Sequence, residues 1–303
     1  SMDREVAFKV LKDDLASDAD MIARFRQNAR ALAQLEHPHI LPLFAFHEGE
    51  PFDYQVQALM AGGTLADRIR RSGRIAVEDA CRILYPIADA LDYTHRHGFL
   101  HRNLKPQAIL FDDSGNPYLG GFTVTLKTSG QGIRLTQTGT AVGTPSYMAP
   151  EYWRGDAVDA RADVYALGIV LFEMLDGRLP FESDAQVYDL MLKHLNEPPP
   201  PDRLSSTGRP PGITDAVVRV VGKAMDKDPK ARYETAGALI EALMDAAQLA
   251  NRPIVRPESL RATQRLQPDT RSLPDIQVPG LDVLGLIRET GIAKVYLAQE
   301  RVT

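Results

Sequence analysis

The sequence predicts an α+β fold in two parts, a small β-rich region followed by a larger helical one. Residues 5–11, "EVAFKVL", alternate apolar and polar side chains as a strand does. After Gly62-Gly63 the apolar residues recur at helical spacing in several long segments. At 303 residues, the chain is long enough for two packed lobes.

The remaining elements of the β-rich region follow the first strand directly. Residues 18–35 place apolar side chains at helical spacing, and two short strand-like runs lie around 40–47 and 53–59. In the helical region the strongest periodicity covers 77–97, 161–176, 184–195, 214–226 and 234–249.

Residues 251–279 differ in composition from the rest of the chain. They hold five prolines, five arginines and no aromatic residue. Such a segment cannot bury enough apolar surface to offset its ordering entropy, so we expect an extended tether. Residues 281–298 then predict a β-hairpin. Because a lone hairpin is marginally stable in water, it must pair with other strands.

Composition excludes several classes of protein. A net charge of −5 gives no basic footprint for nucleic acid, and no apolar run approaches the roughly 20 residues that span a bilayer. The single cysteine, Cys81, cannot form an internal disulfide, which predicts a reducing, cytoplasmic location. Ser1-Met2 has the form of a cloning remnant, which leaves a membrane anchor elsewhere in a longer parent protein open.

Five motifs occur in a fixed order along the chain. They are "VAFK" with Lys9, "HRNLKPQAIL" (101–110), "GTPSYMAPE" (143–151), the helical run 159–181 with Asp163, and "KDPKARY" (227–233). In this order they resemble the protein kinase superfamily, especially bacterial Ser/Thr (Hanks-type) kinases. The resemblance implies a two-lobed kinase-like fold, in which Arg232 pairs with Glu151 and Asp163 is a buried acid.

One motif is out of place. The family's first two strands end in "VYLA" and precede "VAFK", but here "VYLA" is residues 295–298. If Ser1-Met2 is omitted and the ends are joined, eight residues separate the two motifs, which is a natural family spacing. We therefore expect a circularly permuted kinase fold. Its parts are an N-lobe part at 3–60, a C-lobe at 61–250, the tether at 251–279 and an N-lobe hairpin at 280–303.

Two alternatives to permutation stay open. Residues 280–303 could begin a second, tandem kinase domain. The hairpin could also complete a neighbouring copy, which would give a hairpin-swapped oligomer.

The resemblance also shows which chemical groups differ from the family. The catalytic aspartate position is Asn103, whose neutral amide cannot accept a proton as a base. The two metal-ligand positions are Ala108 and Gly121, which carry no side-chain oxygen. The glutamate that would pair with the strand lysine is Asn28. These changes predict no intact catalytic residue, no metal site and a pseudokinase that is not an enzyme.

The nucleotide positions are retained only in part. The residues that match the family's phosphate- and adenine-contacting positions are Lys9, Ala7, Val295 and Leu110. The three glycines of the phosphate loop become Arg288, Thr290 and Ala293. Side chains there obstruct close approach of phosphate to the backbone. The expectation is no cofactor, with weak, metal-independent ATP binding left open.

A regulatory role follows from the segment before "APE". Thr136, Thr138 and Thr140 lie where bacterial relatives are phosphorylated, and Arg102 keeps the phosphate-pairing side chain. The main hypothesis is an inactive regulatory or scaffolding module that binds a protein partner, either an active kinase or a phosphothreonine-reading domain. The alternative is a Ser/Thr kinase with weak or non-standard activity, in which Lys9, Lys105 and Arg288 carry the phosphate charge.

Overall fold

The computed structural model describes residues 4–16, 18–49, 52–122, 125–126, 144–182, 187–205, 212–249, 278, 280–290 and 292–301. The chain forms two compact units. Unit 1 comprises Ser1–Gly63, Leu110–Tyr118 and Leu260–Thr303, and unit 2 comprises Thr64–Ile109 and Leu119–Ser259.

Strands and helices alternate early in the chain, and helices dominate later. The strands are β1 Arg4–Leu11, β2 Leu43–His47, β3 Tyr54–Ala58, β4 Phe99–Leu100, β5 Ile109–Phe111, β6 Pro117–Leu119, β7 Thr125–Leu126, β8 Leu281–Glu289 and β9 Ala293–Glu300. The helices are α1 Ala19–Leu32, α2 Leu65–Ser72, α3 Val77–Arg96, α4 Pro150–Arg154, α5 Arg161–Asp176, α6 Val187–Asn196, α7 Pro201–Ser205, α8 Asp215–Ala224 and α9 Ala236–Ala246. The predicted α+β class is confirmed.

Unit 1 is built on a five-stranded sheet in the order β2-β3-β1-β9-β8. β1 pairs antiparallel with β3 on one side and with β9 on the other. The hairpin predicted from 281–298 thus lies in the same sheet as residues from the start of the chain. Whether this reflects permutation, a tandem domain or a swap stays a prediction.

Strand alternation gives the sheet two different faces. One face carries a buried cluster: Val6, Phe8, Val10, Val56, Val278, Tyr296 and Ala298. The other face carries Lys9 and Gln55, and α1 packs there, since the Gln55 side chain donates a hydrogen bond to the Phe25 carbonyl at 3.4 Å. β1 is therefore covered on both faces, which explains its run of apolar residues.

In unit 2 the helix α5 is the central element. Fourteen of its residues, from Ala162 to Asp176, are buried, which fits a helix that is apolar nearly all round. It ends at Gly177, whose φ of 82° is the left-handed conformation that glycine adopts without strain. Arg232 forms two hydrogen bonds with buried Glu151, at 2.7 and 2.8 Å, as the resemblance implied.

The helix boundaries differ from the sequence predictions mostly by a few residues, and three short helices, α2, α4 and α7, were missed. α2 is short and mostly charged on its exposed side, so periodicity did not find it; a reciprocal pair of hydrogen bonds between Thr64 and Asp67 caps it. The tether predicted at 251–279 lies outside the described residues except for Val278. Within the described ranges, every helix is too short or too polar to cross a bilayer.

Replacing Ala298 with Asp should destabilise unit 1, because Ala298 is fully buried in the sheet cluster. An unpaired buried carboxylate should lower the free energy of unfolding by about 3 kcal/mol or more. Urea denaturation measures this loss. Leu284→Asp is the control, since it adds the same charge at a position that is 37% exposed. Equal effects of the two changes would contradict the packing of β9 in the sheet.

Candidate functional site

The loop 101–108 in unit 2 is held by one buried carboxylate, that of Asp163 on α5. Its Oδ2 accepts hydrogen bonds from the His101 backbone N–H at 2.8 Å and from His95 Nε2 at 2.7 Å. Its Oδ1 accepts the Arg102 backbone N–H at 2.9 Å. These three hydrogen bonds to the two carboxylate oxygens hold the first residues of the loop against α5.

These contacts also set the protonation of the buried groups. Burial acts to raise the pKa of Asp163, but the hydrogen bond from His95 and the neighbouring histidines outweigh it, so this pKa is lowered. Burial lowers the pKa of His101, whose Nε2 lies 2.9 Å from the Gly120 carbonyl and whose ring contacts Phe122. His101 is therefore neutral and donates to that carbonyl. The start of the loop is therefore held by Asp163 on one side and by Gly120 on the other.

The three positions at which the resemblance predicts a departure from the family lie together in unit 2. The Asn103 side-chain amide donates to the Gly121 carbonyl at 3.0 Å. A Cβ placed at Gly121 would lie 3.2 Å from the Cβ of Ala108, and the φ of Gly121 is +68°. In place of the two oxygen ligands that the family uses to bind a metal ion, this chain has the Ala108 methyl group and Gly121.

A divalent cation does not fit this lining. Ala108 and Gly121 offer no side-chain oxygen, and the described part of the chain contains no group of three or more His, Cys, Asp or Glu that could hold a metal. The side chains here do not by themselves supply a magnesium site.

Lys105 is, with Arg102, one of the two charged residues of this loop, and it is half-buried. Its Nζ donates to the Thr144 hydroxyl at 2.5 Å, and burial lowers its pKa. Sequence reasoning named Lys105 only as a source of charge and missed Thr144. The "GTPSY" motif, which contains Thr144, is the sequence feature that could have indicated this residue.

Unit 1 carries the other predicted charge, on Lys9 of β1. This residue is part-buried, and its ammonium lies 5.8 Å from the centre of the Phe25 ring. Burial first, and then the positive charge of Arg288, lower its pKa to about 8. No carboxylate in the described residues pairs with it, and Asn28, which the resemblance aligns with the family's glutamate, is buried on α1.

The predicted adenine-contacting positions are apolar and buried in unit 1. Ala7 and Val295 are on neighbouring strands and lie on the sheet face that carries Lys9. Leu110 packs in a separate small cluster with Leu41 and Met60. Thr136, Thr138 and Thr140 lie outside the described residues, whereas Arg102 is described and has a φ of 59°.

Comparison with known proteins decides the family. The sequence profile of the protein kinase domain matches residues 1–244, which is most of the chain. The chain belongs to the protein kinase family. The matched range contains all five motifs that suggested the resemblance. The hairpin at 280–303 lies beyond it.

Its relatives include named bacterial kinases. It is 36% identical over 235 residues to the serine/threonine-protein kinase PrkC of Bacillus subtilis, covering 78% of this chain and 35% of the relative. It is 34% identical over 306 residues to PknB of Mycolicibacterium smegmatis, covering 97% and 48% respectively. For PknB of Mycobacterium tuberculosis H37Rv the identity is 36% over 240 residues, covering 78% and 38%. The chain thus spans about a third to a half of these relatives.

These findings correct three predictions. The hypothesis of a catalytically inactive regulatory module was wrong, because the kinase family match comes with relatives named as Ser/Thr kinases. The prediction that the chain is not an enzyme was wrong for the same reason. The prediction of no cofactor was also wrong, since the reaction of this family uses ATP with magnesium. Ala108 and Gly121 nevertheless carry no side-chain oxygen that could ligate the ion.

The Asp163 network makes a testable prediction. Asp163→Asn replaces one acceptor with an NH₂ group that faces backbone or histidine donors, so the free energy of unfolding should fall by about 2–4 kcal/mol. Urea denaturation of both proteins measures it. Asp159→Asn, at an exposed carboxylate that accepts the Arg161 N–H, should cost much less.

The pH dependence of that difference has a definite sign. Because the folded pKa of Asp163 is lowered, its stabilisation is fully present above the unfolded pKa near ~3.9 and is lost as pH falls through the folded value. The difference in the free energy of unfolding between the parent and Asp163→Asn should stay constant from pH 7 to about 5 and become smaller below about pH 4. A gap that grows on acidification would contradict the assignment.

Proposed function

We propose that the chain is a Ser/Thr protein kinase with weak, non-standard ATP-dependent phosphotransferase activity. The observation that carries the proposal is the loop 101–108, which Asp163 holds at its start and in which Lys105 bonds to Thr144. Phosphoryl transfer in this family depends on positioning and on neutralising phosphate charge rather than on covalent chemistry by the protein. The loop is positioned by Asp163, and its Lys105 supplies a positive charge, so both requirements are met by protein side chains.

The proposed roles follow from the chemistry of each group. Lys105 stabilises negative charge on the transferred phosphoryl group, since its ammonium donates at the end of the loop. The carbonyl oxygen of Asn103 accepts a hydrogen bond from the substrate hydroxyl and orients it. Because an amide takes up no proton, the hydroxyl proton leaves to solvent, and the rate is lower than with a carboxylate.

Magnesium enters the reaction of this family together with ATP and neutralises phosphate charge. In this chain Ala108 and Gly121 do not ligate it, so every role above belongs to a protein side chain. Weak rather than efficient turnover is the expected consequence.

Restoring the carboxylate tests this proposal. Asn103→Asp supplies a base at the loop position that already lies beside Gly121, and a positioned base contributes about 10²–10⁴-fold. We expect radiolabel transfer from ATP to a generic Ser/Thr protein substrate to rise by about 10²-fold. Asn196→Asp, at an exposed position of unit 2 outside the loop, controls for the added charge.

A loss-of-function pair completes the test. Lys105→Ala should abolish transfer, whereas Lys230→Ala, at an exposed lysine of unit 2, should leave it unchanged. Transfer that is undetectable in both the parent and Asn103→Asp, in folded protein with magnesium or manganese, would contradict the proposal. So would transfer that persists in Lys105→Ala.

Regulation by threonine phosphorylation stays part of the proposal. Arg102 supports it, because its Nε is buried and, among the described residues, has no hydrogen-bond partner. A phosphate on Thr136, Thr138 or Thr140 would provide one. Protein substrates, a phosphothreonine-reading partner and a cytoplasmic location belong to the same proposal.

We also propose the permuted domain order, with 280–303 completing the N-lobe. The sheet order β3-β1-β9-β8 supports it, as does the eight-residue junction between "VYLA" and "VAFK". A swapped hairpin would instead give dimers in light scattering. A tandem domain would pair these strands with a later lysine strand in a longer chain.

A further inference from the structure

Helix α1 lies on the sheet face that carries Lys9, but an ion pair with that lysine does not hold it there. Among the described residues no carboxylate pairs with Lys9, whose ammonium lies 5.8 Å from the centre of the Phe25 ring on α1. Asn28, which the resemblance aligns with the family's glutamate, is uncharged and buried. The position of α1 on the sheet therefore depends on other contacts.

Two arginines of α1 supply charged contacts to the sheet. Arg26 and Arg30 are four residues apart, so they project from the same side of the helix. The Arg26 guanidinium donates to both oxygens of Asp53, at 2.7 and 2.9 Å. The Arg30 guanidinium donates to both oxygens of Glu48, at 2.8 and 2.6 Å. Both pairs are bidentate, which is the geometry in which a guanidinium and a carboxylate bind most strongly.

Both carboxylates lie in the segment that connects β2 to β3. Glu48 directly follows β2, which ends at His47, and Asp53 directly precedes β3, which begins at Tyr54. Asp53 also accepts the Gly49 backbone N–H at 2.8 Å, so the connection itself holds this carboxylate in place. The two arginines therefore tie α1 to both strands of one hairpin of the sheet.

The two pairs differ in burial and therefore in strength. The Asp53 side chain is 5% exposed, whereas the Arg30 side chain is 65% exposed. Burial acts to raise the pKa of Asp53, but the hydrogen bonds from Arg26 and from the Gly49 N–H outweigh it, so this pKa is lowered. Loss of Arg26 would leave a buried charge without its arginine, which is costly, whereas an exposed pair contributes little by itself.

The contacts of Arg26 bear on Lys9 through the neighbouring residue of the helix. Phe25 is buried, and its carbonyl accepts a hydrogen bond at 3.4 Å from the side chain of Gln55, which lies opposite Lys9 in the strand register. Burial first, and then the positive charge of Arg288 on β8, lower the pKa of Lys9 to about 8. The position of α1 thus sets how far Lys9 is removed from water.

We propose that Arg26 and Arg30, through Asp53 and Glu48, are positioning residues that hold α1 beside Lys9. This rests on the proposed kinase function and deepens it, because the family reaction requires this helix in place next to the strand lysine. In the family an ion pair between that lysine and a helix glutamate does so. Here the charged contacts reach the β2–β3 hairpin instead, so the position of α1 does not depend on the charge of Lys9.

Hydrogen–deuterium exchange of the α1 amides, read by mass spectrometry on the whole chain, tests these contacts. Arg26→Gln should speed exchange about tenfold, as expected for the loss of a charge-assisted contact. Arg30→Gln, at the exposed pair, should speed it only about twofold. Arg24→Gln is the matched control and should leave the rate unchanged, since it removes the same charge from the same helix outside both pairs.

Two further variants show whether Arg26 acts through Asp53. Asp53→Asn should also speed exchange, and the double variant Arg26→Gln/Asp53→Asn should exchange more slowly than the product of the two single effects, because both changes remove one contact. Arg26→Lys keeps the charge but not the paired donors, so its exchange rate should lie between those of the parent and Arg26→Gln. This variant also serves if Arg26→Gln fails to fold.

Measurements at Lys9 separate positioning from general stability. Lys9→Met should not speed exchange in α1, whereas it would do so in a helix that depends on an ion pair with the lysine. In Arg26→Gln, Lys9 should become more hydrated, so its pKa should rise from about 8 toward its ordinary value of 10.5. The pH midpoint of Lys9 acetylation by an N-hydroxysuccinimide ester should therefore move upward in Arg26→Gln and stay constant in Arg24→Gln.

Three results would each overturn the assignment. They are equal exchange rates in Arg26→Gln and Arg24→Gln, faster exchange in Lys9→Met, and an acetylation midpoint that is the same in Arg26→Gln as in the parent. Absence of phosphoryl transfer would count against the proposed kinase function alone, because none of these measurements depends on turnover.

Discussion

The hydrogen bonds of Asp163 are the constraint on which the active loop depends. Its two oxygens fix three donors, and two of them are consecutive backbone N–H groups. One of these belongs to Arg102, whose φ of 59° costs a non-glycine residue about 1 kcal/mol or more. The loop keeps this conformation because burial makes an unfilled carboxylate more costly than the strained backbone. The spacing between the loop and α5 is therefore set by electrostatics as much as by apolar packing.

The sequence predicted the long helices well and the short elements poorly. α3 and α5 carry enough turns for their apolar spacing to be unambiguous. α2 has eight residues, and its start depends on one capping threonine rather than on periodicity. The pairing partner of the hairpin could not follow from periodicity, because the order of strands in a sheet is a non-local property. Only the likeness of "VYLA" to a family motif suggested it.

For the site, the sequence named residues that lie together in the structure but misjudged their consequence. Asn103, Ala108 and Gly121 are neighbours, and the described residues contain no group of three or more His, Cys, Asp or Glu that could hold a metal. The inference from these losses to an inactive protein was wrong because the family match and the relatives named as Ser/Thr kinases point to an enzyme. In phosphoryl transfer, positioning and charge supply much of the rate, and those depend on groups that single motifs do not reveal. The hydrogen bond from Lys105 to Thr144, for example, connects the motif 101–110 with the motif 143–151.

The hairpin of unit 1 differs in the same way from a glycine-rich loop: its positive charge is on side chains and not on backbone N–H groups. A glycine-rich loop binds phosphate with fixed backbone dipoles, which require an open turn. Here the turn is closed by Thr290 and Ala293, and the charge near Lys9 comes from a flexible arginine instead. A fixed dipole is organised before the ligand arrives, whereas a long side chain must be ordered on binding at an entropic cost. A long side chain in place of fixed dipoles would attract phosphate without aligning it. The weak phosphoryl transfer proposed for this chain agrees with that difference, because alignment rather than attraction raises the rate.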